Sequence, residues 1–452
     1  MKKSLIVLLS MFFIALVTYS QVEPGTAESL GGGDGRSVTV NGLTQLDAFT
    51  GNYVLSADAA GGYPLSTFSI NVNKPSAGAT VHKAYLFSTP TWFYIPSVPN
   101  GCVTLAGTPV NWNGTAPNAA GTLNSYADVT SIVAPIINAA AAGISALTVV
   151  ECDPSGIDGV ALTVVFSDAS ASEKTILLMF GGLSTTGDNF SIALGTPIDP
   201  VAPGALLNMG LGIEFGYQGS AQYSIINVNG NRLTTAAGGA DDAVDTPGDG
   251  NLITLGGIGD SNGNPADPFA LPVNHYSDDE LYSLLPLITN TTTNILVTTS
   301  NPSNNDNVFL AYFEISGSAI IGEGIVLSQT VNQETTGSNH TVKALIQDDN
   351  GDPVVAENVT FTVLSGPNAG VNGVVATDAN GEAFFTYAGT GGVGFDVIQA
   401  CFTNSLDETE CSNTVTVEWI DGGPAVPVTD WALGLGILLI VAVAAFRFRR
   451  MI

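Results

Sequence analysis

Asp260, Asn262, Asn264 and Asp267 place oxygen-bearing side chains at close spacing in one polar stretch, and Asp241, Asp242, Asp245 and Asp249 precede them. Loops of this kind can gather the roughly six to eight oxygens that a hard cation takes, so structural calcium is the one cofactor these residues suggest. The stretch is not an EF-hand, because Pro265 and Leu271 stand where that loop needs its Gly and its closing Glu. The same residue types also build ordinary long turns, since Asn, Asp and Gly tolerate left-handed backbone and bond locally. Both readings stay open.

Other chemistry is thin. The chain has no Gly-x-Ser-x-Gly elbow, no His-Glu-x-x-His and no phosphate loop ending in Gly-Lys-Ser/Thr. The run from Gly210 to Gly216 has the wrong spacing for a dinucleotide turn and reads as a strand or loop. Forty acidic residues allow many carboxylate pairs of the kind that hydrolyse glycosides, and only their separation in space could select one. Trp92 and Tyr94, between Pro90 and Pro96, offer rings that could stack on a sugar or fill an edge of a core. No catalytic residue emerges, and the chain reads as a non-enzyme.

Four cysteines, Cys102, Cys152, Cys401 and Cys411, lie far from the scattered His82, His275 and His340, which argues against a thiolate–imidazole metal site. In an exported chain they become disulfides. Of the three pairings that four cysteines allow, Cys102 with Cys152 and Cys401 with Cys411 keep each bridge inside one domain.

Export is written at the N-terminus. Lys2 and Lys3 precede an apolar run to Val17 and small residues before Gln21, so residues 1–20 read as a signal peptide. At the other end residues 429–446 form an apolar stretch about 27 Å long as a helix, enough for a bilayer core. Arg447, Arg449 and Arg450 would hold residues 447–452 in the cytoplasm. Residues 21–427 retain 6 basic and 39 acidic side chains, a net charge of −33. Such a surface excludes binding to nucleic acid through its phosphates and stays soluble by self-repulsion.

The elements that would carry any site are strands. Residues 21–320 read as a large jelly-roll-like β-sandwich, in one or two lobes with a division near Ile198 to Pro203, built from stretches such as Val160 to Phe166, Thr175 to Phe180 and Val308 to Ile315. Helix is expected only around Val133 to Ala142 and after the capping box Ser277-Asp278-Asp279-Glu280, where Leu281, Leu284 and Leu285 follow. Residues 325–420 alternate apolar and polar at period two, with about seven short strands between turns such as Asp348–Pro353 and Asp378–Gly381, the count of an immunoglobulin-like sandwich. Residues 421–428 form a linker.

Three resemblances rest on particular residues. Val359–Val363, Ser365-Gly366-Pro367-Asn368-Ala369-Gly370, Thr377–Gly381 and Ser412–Val417 resemble a bacterial Ig-like domain of the invasin/intimin type; the likeness implies a spacer that projects other domains, with Cys401–Cys411 stapling its last hairpin. Pro427-Val428-Thr429-Asp430-Trp431, the apolar helix and the arginines resemble the C-terminal sorting signals of bacterial surface proteins, which implies cleavage near Pro427 by a membrane protease; a permanent single span is the alternative. Ala84–Phe87, Ala127–Thr130 and Phe180–Leu183 resemble uncharacterised N-terminal domains of bacterial surface proteins, which implies location alone. The expectation is therefore an all-β cell-surface protein with one C-terminal transmembrane helix, used in adhesion or envelope structure. Its partner would be an extracellular glycan or a matrix protein. The alternatives are a calcium-dependent carbohydrate-binding protein and, further off, a secreted glycan hydrolase.

Overall fold

The computed structural model describes residues 42–421 except 62–64, 92–94, 119–120, 183–186, 215–223, 236, 238–252, 264–266, 270–279, 301–306, 330, 349–350, 406 and 408. The signal peptide, the C-terminal helix with its arginines, most of the linker, Asp241 to Asp249, Asn264, Trp92 and Tyr94 lie outside the described residues. Among the described residues no helix is long and apolar enough to cross a membrane.

The protein is all-β with one α-helix among the described residues. Its larger part consists of four antiparallel sheets whose cores succeed one another. In spatial order, sheet I contains Thr67–Lys74, Gly143–Glu151, Val103–Leu105 and Thr108–Pro109, and sheet II contains Tyr53–Ala60, Ile157–Ser167, Thr80–Pro90, Leu123–Asp128 and Gly114–Pro117. Sheet III contains Gly42–Gly51, Lys174–Gly182, Asn307–Ser316, Leu207–Glu214 and Ile253–Leu255, with Leu281–Ser283 also paired to Leu207–Glu214. Sheet IV contains Asn231–Thr234, Ile225–Val228, Asn294–Ser300, Asn189–Leu194 and Ala319–Ile321.

Side chains decide this stacking. Along Ile157–Ser167, Val160, Leu162, Val164 and Phe166 join a core shared with sheet I, whereas Ala161 and Val165 join one shared with sheet III. Along Lys174–Gly182, Ile176, Leu178 and Phe180 face sheet II, while Leu177 and Met179 face sheet IV. The two inner sheets are thus buried on both faces, which is why their strands are almost continuously apolar although antiparallel. The β-sandwich region expected from the strand content is built as four stacked sheets.

Gly42–Gly51, the first described strand, pairs with Lys174–Gly182 in sheet III, and the strands of sheets I and II lie between them in the chain. The helix spans Thr130–Ala139 and buries Val133 and Ile137, one turn apart, over the core of sheets I and II. Buried Lys74 donates from Nζ to the carbonyls of Asn138 and Ala140, both at 3.0 Å, neutralising the negative end of that helix. The second expected helix is absent where it is described: Leu281–Ser283 is a strand and Leu285–Leu287 a 3₁₀ turn, because pairing with Asn208–Gly210 satisfies the backbone there.

The C-terminal part is a separate sandwich with its own core. Gly324–Gln329, Asn339–Gln347 and Glu382–Ala388 form one sheet. Gln333–Thr335, Val415–Ile420, Gly394–Thr403, Asn358–Ser365 and Asn372–Ala376 form the other, with Thr409–Cys411 also on Gly394–Thr403. The stretch after Gln329 changes sheets, so that Gln333–Thr335 pairs in parallel with Val415–Ile420. Phe361 and Phe385 stack at 5.2 Å inside, beside buried Trp419.

Candidate functional site

Both disulfides form as paired in the sequence. Cys102 and Cys152 flank the register pair Val103 and Glu151, and the Cys152 amide donates to the Cys102 carbonyl at 2.8 Å. Cys401 and Cys411 are themselves register partners.

Three of the residues singled out for calcium, Asp260, Asn262 and Asp267, are described. Asp260 Oδ2 accepts from the Gly257 amide at 2.5 Å, closing its own turn. Asn262 Nδ2 donates to Asn208 Oδ1 at 3.2 Å, and its carbonyl accepts from Ser283 at 2.9 Å, pinning the loop to sheet III. Asp267 Oδ1 accepts from the Phe269 amide at 3.0 Å. Among the described residues no three acidic, His or Cys side chains gather as metal ligands.

Carboxylates elsewhere do the same work of closing turns. Asp153 Oδ1 accepts from the Ser155 and Gly156 amides at 3.3 and 3.1 Å. Asp168 accepts from Ser170 N and Oγ at 2.9 and 2.6 Å, and Asp378 from the Asn380 and Glu382 amides at 2.8 and 3.0 Å. Bonds to the charged form hold both below the usual carboxylate range, the Ser170 hydroxyl leading at Asp168 and the Glu382 amide at Asp378.

Three acids behave differently. Glu151 in sheet I, Asp158 in sheet II and Glu214 in sheet III are all buried. Glu214 Oε2 accepts from Asn307 Nδ2 and, at 3.4 Å, from Asn118 Nδ2. Asn124 Oδ1 accepts from Asn307 and Asn118 at 2.8 and 3.1 Å, and Asn124 Nδ2 donates to the Gly181 carbonyl at 2.7 Å. This amide network ties sheet II to sheet III. Glu214 Oε1 and both carboxyl oxygens of Glu151 have no hydrogen-bond partner among the described residues. Burial pushes Glu214 well up, and the neighbouring Asp158 charge adds to it against the Asn307 bond. Burial likewise pushes Glu151 up to about 8, with Asp158 and Asp153 adding. Glu214 and Glu151 are therefore neutral acids at neutral pH, with Glu214 0% exposed. The sequence reading did not pick them out. Their signal is a lone acid at the end of an otherwise apolar strand, as in Leu211-Gly212-Ile213-Glu214.

The last strand of sheet IV ends at Ile321 and the first strand of the C-terminal sandwich begins at Gly324. Only Gly322 and Glu323 lie between. Gln347 Nε2 donates to the Gly322 carbonyl at 2.9 Å, and the Glu323 carboxylate accepts from Ser405 N and Oγ at 2.8 and 2.6 Å. Ser318 Oγ donates to the Leu327 carbonyl at 3.2 Å and Ser328 Oγ to the Gly195 carbonyl at 3.3 Å, crossing the junction both ways. Beside it opens a cleft of about 770 Å³ between Glu173 and Thr196 on one wall and Gln333, Phe395, Thr416 and Glu418 on the other.

Inside the C-terminal sandwich, buried Asp396 accepts from the Asn368 amide at 2.9 Å, Asn368 Nδ2 at 2.7 Å, the Tyr387 hydroxyl at 2.9 Å and Trp419 Nε1 at 2.6 Å. Burial first and the bond to Asp396 second push Tyr387 up. His340 sits edge-on to Tyr387 and Trp419, and burial lowers its pKa, keeping it neutral. These groups form a structural lock.

No family model matches the chain, and no curated protein does. A solved structure described as N-glycanase F (PNGase F) aligns over 60% of this chain and 99% of that one at 9% identity, with a TM-score of 0.19. A score that low carries no argument about fold or activity.

Proposed function

We propose that this chain is a non-enzymatic bacterial cell-surface protein for adhesion or envelope structure, in which the C-terminal sandwich projects the four-sheet body outward. The observation that carries the reading is the two-residue junction, held from both sides by Gln347, Ser405, Ser318 and Ser328. A spacer transmits position only when its joints are stiff, and a connection this short leaves little freedom for relative motion. The sheet-switching first edge, with Gln333–Thr335 parallel to Val415–Ile420, supports an invasin/intimin-type Ig-like identity for residues 325–420. Two disulfides favour an oxidising compartment. Asp153 and Asp378 close turns, and Glu151, Asp158 and Glu214 are buried.

In this reading residues 1–20 direct export and residues 429–446 hold the chain in the membrane, either permanently or until a sorting protease cuts near Pro427. Deleting residues 424–452 and fractionating the culture tests it. The shortened chain should move from the cell envelope to the medium; retention on the cells would remove the anchor from the account.

A further inference from the structure

We infer that the cleft beside the junction is a binding site for an uncharged oligosaccharide. Its volume, about 770 Å³, falls in the range of about 300–1,000 Å³ typical of small-ligand sites, and it lies between two β bodies joined by two residues and bonded across the junction. Ligand sites favour such places because rigid walls need no ordering when the ligand arrives.

The lining chemistry selects the ligand class. Gln333 Nε2 donates to Glu418 Oε2 at 2.6 Å, so two planar groups are held together before any ligand enters. Glu173 and Thr196 face them from the four-sheet body, and Thr416 and Phe395 stand on the strands beside Glu418. Carboxylates, a carboxamide and hydroxyls suit the many O–H donors and acceptors of a sugar. Phe395 is 60% exposed despite its size, and gives the apolar C–H face of a pyranose a ring to lie on.

Charge narrows the class further. Among the described residues the lining carries two carboxylates and no cation. All the described cations are engaged elsewhere: Lys83, Lys174 and Lys343 pair with Asp128, Glu314 and Glu382, Lys74 caps the helix, and Arg232 bonds Asn227 and Thr235. An acidic glycan or a phosphate would enter a negative field with nothing to receive it. A basic peptide could meet the two carboxylates, but the hydroxyl and aromatic share of the lining favours the neutral sugar. Every described residue that lines the cleft precedes residue 424, so release of the shortened chain and binding of a sugar can each fail without the other.

The test is titration calorimetry of the full chain in detergent with maltopentaose, cellopentaose and chitopentaose, alongside an oligogalacturonate and an oligolysine. At least one neutral pentasaccharide should bind, and the acidic oligomer should not. Phe395→Ala should weaken that binding about tenfold or more. Phe269→Ala, which removes a ring 70% exposed at another place, should leave it unchanged. Glu418→Gln keeps the shape of its pocket wall and should weaken binding without altering the melting temperature. Failure of all three neutral sugars to bind, equal loss with both Phe variants, or preference for oligolysine would each overturn the assignment.

Discussion

Glu151 offers the sharpest quantitative test of how the stacked sheets are held. Its carboxyl lies on the inward face of Gly143–Glu151, after Leu147 and Val149, with neither oxygen bonded among the described residues. Burial, reinforced by Asp158 and Asp153, raises its pKa from 4.5 to about 8. The folded state therefore keeps a proton that the unfolded chain gives up. A raised folded value means stability is full below about pH 4.5 and declines as the pH rises toward 8. At about 1.4 kcal/mol per pH unit, the loss reaches about 3 kcal/mol at pH 7 and about 4 kcal/mol at pH 8, and levels off above that pH. Glu151→Gln keeps the shape and the neutral state but cannot ionise. It should match the parent near pH 4.5 and gain most of that amount at pH 8. Scanning calorimetry is the suitable assay, because a chain with several cores need not unfold in one step and the trace can separate them. A variant equally destabilised at both pH values would refute the reasoning, since it would mean that Glu151 is charged and held by a partner.

Two other changes probe the C-terminal sandwich and the bridges. Asp396→Ala removes the acceptor for Asn368, Tyr387 and Trp419 in a closed core and should cost about 3–5 kcal/mol; urea unfolding followed by tryptophan fluorescence would show it, and a loss under about 1 kcal/mol would mean that the network is ornamental. Opening Cys102–Cys152, which closes a separation of 50 residues, should cost about 4 kcal/mol, against about 3 kcal/mol for Cys401–Cys411 with its separation of 10. Melting of the two Cys→Ser pairs checks the order, which reverses if native-state strain outweighs chain entropy.

What could be read from the residues depended on how many faces a strand buries. In the C-terminal sandwich one face is wet, so Asn358–Ser365 and Glu382–Ala388 alternate visibly and their strands were legible. In the inner sheets both faces are dry, and Ile157–Ser167 is buried at every position but its last. Alternation vanishes there, so the strands could be recognised by β-branched content but not assigned an inward side, and the order in which four sheets stack could not be read. Pairing of Gly42–Gly51 with Lys174–Gly182 spans well over a hundred residues and leaves no local mark. The 280s misled for a related reason: Leu281, Leu284 and Leu285 have helical spacing, yet a three-residue strand followed by a 3₁₀ turn buries Leu284 equally well.

The polar groups obey the same logic. Asp153, Asp168 and Asp378 sit two or three residues ahead of small polar partners, so their turn role is local and visible in the chain. Glu151, Asp158 and Glu214 come from three different sheets and meet only through the stack, each as a single acid at the end of an apolar strand. The junction cleft is hidden still more completely, because Glu173 and Glu418 are brought to face each other only by the two residues that join Ile321 to Gly324. Lengthening that link with inserted Gly-Ser residues would leave every strand intact and separate the walls, which is why any ligand of the cleft depends on the same stiffness as projection does.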